Sequence, residues 1–439
     1  MTEGTRSDPS VGFVVQSDRK NYKPFRNQPL NALHFLTILD DNFQDGYNSL
    51  VDLRGIEEEN FIYHIPEKDV FLYSITSINY LETTRAVKTI RERYPDAKHV
   101  AGGIHVNLFP EESSEVFDAI ALGEGEENIV KIIDDVRNSN LKKVYNQTNP
   151  IDINSFPHPS REYLPKSAVV EKGLLSGEYL DLLGTAVLFS RDCPYNCSFC
   201  ANPVQKKARF RSPDRIKDEI NYLKDVYGIE ALAIKDDQAI PSNPNIAKNN
   251  LEAIAETNIK WRGQCRANGI SRDTLKLAKY SGCVDLAIGI ESVSQDVLDI
   301  VNKKIDLGEA RKFLNYCEDE GIGRRIHLIM GLPGEKENIV EESIKFIEET
   351  RPSSVLLSLL APTPGSDLYE NPSKYGIKLH NVPFDEIFSA SGRFDKDEET
   401  RMIFEYEKET PFGKSMSNSQ IIENHERLLD FLWDKDLNF

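Results

Sequence analysis

The sequence is poor in cysteine, with six in 439 residues. That excludes a disulfide framework, which small secreted folds build from a far denser set. No apolar run approaches the roughly 18 residues that a membrane-crossing helix needs, so no membrane span is expected. The opening MTEGTRSDPS lacks the apolar core of a secretory signal, and a cytoplasmic location is expected. Positive charge is in deficit. Lys and Arg number 53 against 71 Asp and Glu, a net of −18. A nucleic-acid surface should be basic, so no nucleic-acid partner is expected. There is no internal repeat and no long low-complexity run.

What is present is ordinary globular material, 39% hydrophobic and 28% charged, long enough for two or three domains. Short apolar runs alternate with amphipathic helices, which is the pattern of βα units and parallel sheets. In the first 150 residues the strands are 11–16, 69–75, 98–103 and 117–123, with helices over 80–95 and 126–138. Residues 151–180 hold three prolines and little periodicity, so they read as a linker. Six further strands follow, at 185–191, 229–235, 259–267, 284–290, 324–330 and 354–360. The helix between the first two is expected to be capped by Asp214 and stopped by Gly228. Six βα units are too few for an eight-unit barrel. The expected fold is therefore α/β. A Rossmann-like doubly wound parallel sheet (1–150) and the linker (151–180) precede a partial (βα)6 TIM-like barrel (181–365). A mostly helical C-terminal extension (366–439) ends with an amphipathic segment at 421–433, placed to cover the open side of the barrel.

Half of the cysteines stand in RDCPYNCSFC, 191–200. Cys193, Cys197 and Cys200 are spaced Cys-x3-Cys-x2-Cys just after the first barrel strand. Functional loops gather at the carboxyl ends of strands in parallel folds. Thiolates bind zinc or iron–sulfur clusters. Structural zinc closes four ligands, usually in two separated pairs. Here three come from one tight loop with no fourth Cys or His nearby. A cuboidal cluster can take three corners from such a loop and keep its fourth iron open. Cys265, Cys283 and Cys317 are scattered and read as small buried hydrophobes.

This spacing, Phe199 before the last cysteine, and the six-unit barrel resemble the radical S-adenosylmethionine superfamily. The resemblance covers roughly 184–365. It implies a 4Fe-4S cluster on the three cysteines, with S-adenosylmethionine on the open iron, cleaved to a 5′-deoxyadenosyl radical by one electron. Phe199 then falls among the cofactor contacts. The phrase IKDDQ (234–238) ends the second strand, where the family holds the cofactor's amino group. The usual Gly-Gly-Glu is absent, so Asp236 or Asp237 would substitute; an acidic turn is the other reading. Arg266, ending the third strand, suits the cofactor carboxylate by bidentate pairing; an ordinary ion pair is its alternative. Glu291 and Ser292, in IGIES, would meet ribose or substrate, or serve a helix cap. MGLPGE (330–335) would bring backbone at Leu332 to adenosine, and Gly331 and Gly334 also suit plain turns.

The N-terminal phrases AGGIHVNLFPEE (101–112) and ALGEGEENIVKII (121–133) place glycines at two strand ends, as the lip of a switch-point crevice. They resemble the cobalamin-binding domain fused to one branch of the superfamily. On that resemblance Ser74, Thr76, Gly102, Gly103 and Gly123 would line the pocket for the nucleotide tail of cobalamin. The Asp-x-His-x-x-Gly motif that brings a histidine to cobalt is absent, and His105 reads as a surface or turn histidine. The resemblance implies a radical enzyme with a small-molecule or peptide substrate and an external one-electron reductant of flavodoxin or ferredoxin type. C-methylation is the leading activity. A non-methylating radical transformation, with the N-domain binding substrate or partner, is the alternative. A non-enzymatic iron–sulfur protein is the remaining one.

Overall fold

The computed structural model describes residues 7–16, 28–44, 46–201, 207–384, 387 and 402–438. Described residues up to Glu171 form one compact unit and those from Lys172 a second.

The first unit is a parallel sheet of β1 (Val11–Val15), β2 (Ser49–Asp52), β3 (Val70–Ser74), β4 (Lys98–Gly102), β5 (Ala119–Gly123) and β6 (Val144–Gln147). Its order is β2-β1-β3-β4-β5-β6, and every pair is parallel. Runs such as VGFVV and VFLYS are buried along nearly their whole length because helices cover both faces. On one face the helices Leu30–Asn42 and Glu126–Arg137 close a core of Phe13, Leu36, Leu39, Ile129 and Ile133. On the other, Phe71 stacks on Tyr94 and on His99, and Tyr73 meets Phe117.

Two corrections follow. The strands β2 and β6 were not expected; both are sheet edges, short and mostly half-exposed, so their apolar signal is weak. The chain reverses direction across the sheet between β1 and β3, so the switch point lies there. It was expected at the loops after β4 and β5. Ser74 and Thr76 at the end of β3 border it; Gly102, Gly103 and Gly123 lie successively farther along the edge.

The second unit is an open six-strand parallel sheet: β7 (Gly184–Val187), β10 (Ala231–Ile234), β11 (Lys260–Cys265), β12 (Cys283–Glu291), β13 (Gly323–Met330) and β14 (Ser354–Leu359), paired in that order. A small antiparallel pair, β8 (Ser190–Arg191) with β9 (Arg209–Phe210), sits beside it. The run 185–191, expected as one strand, therefore breaks after Val187. The Asp236 carboxylate takes the amides of Phe189 (2.7 Å) and Ser190 (3.0 Å) in place of a ladder partner.

Burial alternates along β11, β13 and β14. One face meets the helices: Trp261 Nε1 donates to Ser281, and Arg324 donates to Leu314 O. By the two-residue period of a strand, Arg262, Gln264, Arg325, His327 and Ser358 face the other way, into the lumen. The helices between strands are capped by Ser212, Ser271 and Asp306. The helix Pro213–Tyr227 thus starts from Ser212, and Asp214 falls inside its first turn; Gly228 ends it at φ +71°.

In the C-terminal part, β15 (Ile377–Leu379) pairs with β16 (Phe404–Tyr406), and the helix Asn418–Asp434 packs on the helix Ile339–Thr350 and on β13 and β14. Just beyond that helix, Leu437 O accepts from Val355 N at 2.7 Å, covering the β14 edge. Among the described residues no helix is long and apolar enough to cross a membrane.

The turn after β13 is built around a buried acid. Gly331 (φ +93°) donates its amide to Glu335 Oε2 at 2.7 Å, and Tyr406 OH donates to Gly331 O. Burial pushes the Glu335 carboxyl up to about 8. A folded value above the unfolded one means the folded state holds the proton more tightly. That stabilisation is complete below the unfolded value and is lost as pH rises through about 8. Urea melts from about pH 5 to about pH 9 should show wild-type stability falling more steeply than that of Glu335→Gln. Parallel curves would count against the buried acid.

Candidate functional site

The cysteine loop opens at Asp192, in the left-handed region (φ +64°) and paired to Arg209 at 2.6 Å. The loop is held from several sides. Ser198 N donates to Val301 O, Asn302 Nδ2 to Asn196 O, Leu368 N to Ser198 O, and Tyr375 OH to Ser198 Oγ. Cys193 and Cys197 are half-buried and Cys200 is exposed. Crowding within the loop still raises the Cys200 thiol to about 11, and Cys197, Cys193 and Asp237 add to the shift. Burial also raises Cys193. The bare Cys193 and Cys200 thiols are therefore protonated near neutral pH, and metal binding there would have to displace those protons.

Two side chains donate to these sulfurs. Gln238 Nε2 reaches Cys193 Sγ at 3.7 Å, and Arg266 Nη1 reaches Cys197 Sγ at 3.5 Å. Among the described residues no three His, Cys, Asp or Glu converge as ligands of a single ion. A four-iron cluster makes a different demand, since each thiolate bonds a different iron. Three thiols on one loop, two of them already receiving N–H donors, fit that group.

The expected cofactor contacts fall unevenly around the loop. Asp236 is buried with its Oδ1 taken up by the amides of Phe189 and Ser190, and burial raises its carboxyl to about 7. Asp237 is exposed, and its charge acts on Cys193 and Cys200. Arg266 engages all three guanidinium nitrogens within the protein. Besides Cys197 it donates to Asn268 Oδ1 and Lys303 O, and it lies 3.8 Å over the Tyr195 ring. Phe199 lies beside Lys303 Nζ.

Glu291 (φ +70°) sits at an irregularity of β12 and pairs with Lys303 Nζ at 2.7 Å, both nearly buried. A Cβ on Gly289 would lie 2.3 Å from Glu291 Oε1 and 2.9 Å from Lys303 Nζ, so a side chain there would displace this ion pair. Ser292 is buried and accepts from Ser294 N; the N-cap of the following helix is Ser294. The Leu332 side chain is buried, so only its backbone remains for a ligand. Cys265, Cys283 and Cys317 are buried, as expected.

The sequence reading missed Tyr195, Gln238, Ser242 and Lys303. Tyr195 and Gln238 were in view within RDCPYNCSFC and IKDDQ, but their polar groups gain meaning only from partners distant in sequence. The lumen ion pair Asp285–Arg325, with His327 beside it, was also missed.

In the first unit the glycine loops divide. A Cβ on Gly103 (φ +101°) would lie 2.6 Å from the Ile75 backbone, and one on Gly123 (φ +77°) would strike Gln147 O. Both are demanded by the chain itself. Gly102 is not: its Cβ would meet Ala121 at ordinary contact distance. Asn107 ties the two loops, donating to Gly103 O at 2.9 Å and accepting from Gly123 N at 2.7 Å. Ser74 Oγ accepts from Asn31, and Thr76 caps the short turn Ser77–Asn79. His105 is a correction. It is fully buried, stacked 4.0 Å from Tyr80 with Nδ1 against Ser77 Oγ, and burial lowers it to about 4. The GEGE carboxylates also turn inward: Glu124 takes the Ile151 amide, and Glu126 pairs with His34.

An open six-strand parallel barrel with three thiols on the loop after its first strand defines a class. Residues 187–347 match the radical SAM superfamily and form a domain of that family. The chain is 28% identical over 292 residues to an uncharacterized methyltransferase of Pyrococcus horikoshii, covering 62% of each. It is 26% identical over 329 residues to the anaerobic magnesium-protoporphyrin IX monomethyl ester cyclase of Rubrivivax gelatinosus, covering 69% of this chain and 57% of that one. The chain thus spans about three fifths of these relatives' lengths. The fold is similar to the radical S-adenosylmethionine methyltransferase TsrM of Kitasatospora setae. The TM-score is 0.68 at 16% identity, covering 95% of this chain and 90% of that one.

The two neighbouring glycines should separate in stability measurements. Gly103→Ala should lower the first unit's stability by about 2 kcal/mol or more, through strain and backbone collision. Gly102→Ala should change it by about 0.5 kcal/mol or less. Equal losses in urea unfolding would show that both glycines answer to the fold.

Proposed function

We propose that this protein is a radical S-adenosylmethionine enzyme that uses cobalamin and methylates a carbon of a polar small molecule or peptide. The carrying observation is the cysteine loop: three thiols at the carboxyl end of an open parallel barrel, two of them met by N–H donors from the next strand ends. Cys193, Cys197 and Cys200 would hold a 4Fe-4S cluster. When bound, that cluster and S-adenosylmethionine supply one electron and a 5′-deoxyadenosyl radical.

The chain's own residues do the rest. Arg266 and the segment 301–304 clamp the loop. Asp237 presents a carboxylate beside the thiols for the amino group of S-adenosylmethionine. Glu291, fixed by Lys303, faces the same mouth for ribose or substrate. The lumen strands offer Arg262, Gln264, His327 and Ser358, which suit a substrate rich in hydrogen-bonding groups better than a plain hydrocarbon. A flavodoxin- or ferredoxin-type protein would provide the electron, in the cytoplasm.

For the first unit, support for cobalamin comes from the crevice between β1 and β3, the unforced Gly102, and the likeness to TsrM, whose structure contains cobalamin and a [4Fe-4S] cluster. His105 is sequestered against Tyr80 and so would not reach a cobalt ion. The likeness to a cyclase supports a second reading, ring closure without methyl transfer.

Anaerobic reconstitution with iron, sulfide and hydroxocobalamin tests both halves. Retained corrinoid and about four irons, followed by release of 5′-deoxyadenosine and S-adenosylhomocysteine with substrate, is expected for methylation. 5′-Deoxyadenosine alone, with no corrinoid retained, favours the second reading. Cys197→Ala should abolish iron uptake and S-adenosylmethionine cleavage; cleavage that survives it overturns the cluster assignment.

A further inference from the structure

Gln238 is held in one orientation by a short polar circuit. Its Nε2 donates to Cys193 Sγ at 3.7 Å. Ser242 Oγ donates to its Oε1 at 3.0 Å, and the same hydroxyl meets Tyr195 OH at 3.1 Å. Since the Ser242 proton goes to Gln238, Tyr195 must be the donor in that last contact. Tyr195 lies on the cysteine loop itself, between Cys193 and Cys197, beneath the Arg266 guanidinium. The amide cannot turn over without placing its oxygen against the sulfur and its NH2 group against the Ser242 hydroxyl hydrogen. The circuit thus closes on the loop where it begins. Among the described residues Cys200 Sγ receives no donor, so the three thiols are not equivalent.

We propose that Gln238, oriented by Ser242 and Tyr195, is a positioning residue that sets the reduction potential of the cluster. The inference rests on the cluster reading above. An N–H donor stabilises a thiolate more strongly as electron density on sulfur rises, so it favours the reduced cluster over the oxidised one. Gln238 is neutral, and among the described residues its side chain hydrogen-bonds to the loop only through this circuit. Arg266 donates to Cys197 as well, but it also ties Lys303 and Asn268, so its removal would disturb the loop.

The test uses the full chain reconstituted anaerobically with iron and sulfide. Iron is counted, and the cluster potential is read by titration followed by electron paramagnetic resonance, without S-adenosylmethionine. Gln238→Leu should keep its iron and be harder to reduce, by about tenfold in the reduction equilibrium, or 59 mV for one electron. Ser242→Ala should shift the same way by less, and Tyr195→Phe by least. An unchanged potential in Gln238→Leu with full iron overturns the proposal. If Gln238→Leu loses iron, Ser242→Ala decides: a lowered potential with iron intact supports it, and an unchanged potential or lost iron overturns it. A wild type that takes up no iron defeats the cluster reading itself, and the proposal with it.

Discussion

The cysteine loop has almost no regular structure of its own, so its shape must be imposed from outside. The first constraint is the Asp236 carboxylate, which takes two amides just where the chain leaves β7. Without it, Phe189 and Ser190 would either extend the β7 ladder or bury two unpaired donors, each costing about 1–3 kcal/mol. The strand stops at Val187, and the next residues turn outward to begin the loop. A buried acid on β10's carboxyl end therefore determines where the thiols stand. That an acid is used, at the expense of a carboxyl raised to about 7, shows how tightly this point is enclosed.

The opposite side of the loop is set by the segment after β12. Glu291, Asn302 and Lys304 all hold positive φ, which costs a non-glycine residue about 1–2 kcal/mol each. What holds them is contact with the loop and the mouth: Lys303 pairs with Glu291, Lys303 O accepts from Arg266, Lys304 O accepts from Asn268, and Asn302 reaches Asn196 O. Such strain persists only where neighbouring contacts over-determine it, and the nearly buried Glu291–Lys303 pair is one of those contacts. The loop and the segment brace each other, and Arg266 is shared between them.

The barrel strands were legible from short apolar or alternating runs such as ALAI and VLLSL, and three of the helices between them run out at Gly228, Gly282 and Gly321. The edge strands β2 and β6 were not, since a half-exposed edge carries little apolar signal. The three cysteines were legible from spacing alone. The residues that hold them were not: Gln238, Ser242 and Tyr195 are ordinary polar residues until the fold brings residues 195, 238 and 242 together. His105 was misread for the same reason in reverse. A histidine beside glycines looks like a loop residue, yet the aromatic rings of Tyr80 and Phe109 enclose it.

The same contrast orders the cysteines into two kinds. Cys265 and Cys283 on the strands, and Cys317 on the helix Leu307–Asp319, are buried where desolvation drives their thiols upward and keeps them inert. In the cysteine loop Cys193 and Cys200 are also raised, but the loop is less enclosed, and Cys193 and Cys197 receive N–H donors. An N–H group donating to sulfur gains little from a neutral thiol and much more from a thiolate bonded to metal. On the proposed reading, Gln238 and Arg266 suit a metal-bound loop better than a bare one. Among the described residues the buried cysteines have no comparable arrangement: Cys283 donates to the Asp285 carbonyl, which suits a permanent thiol.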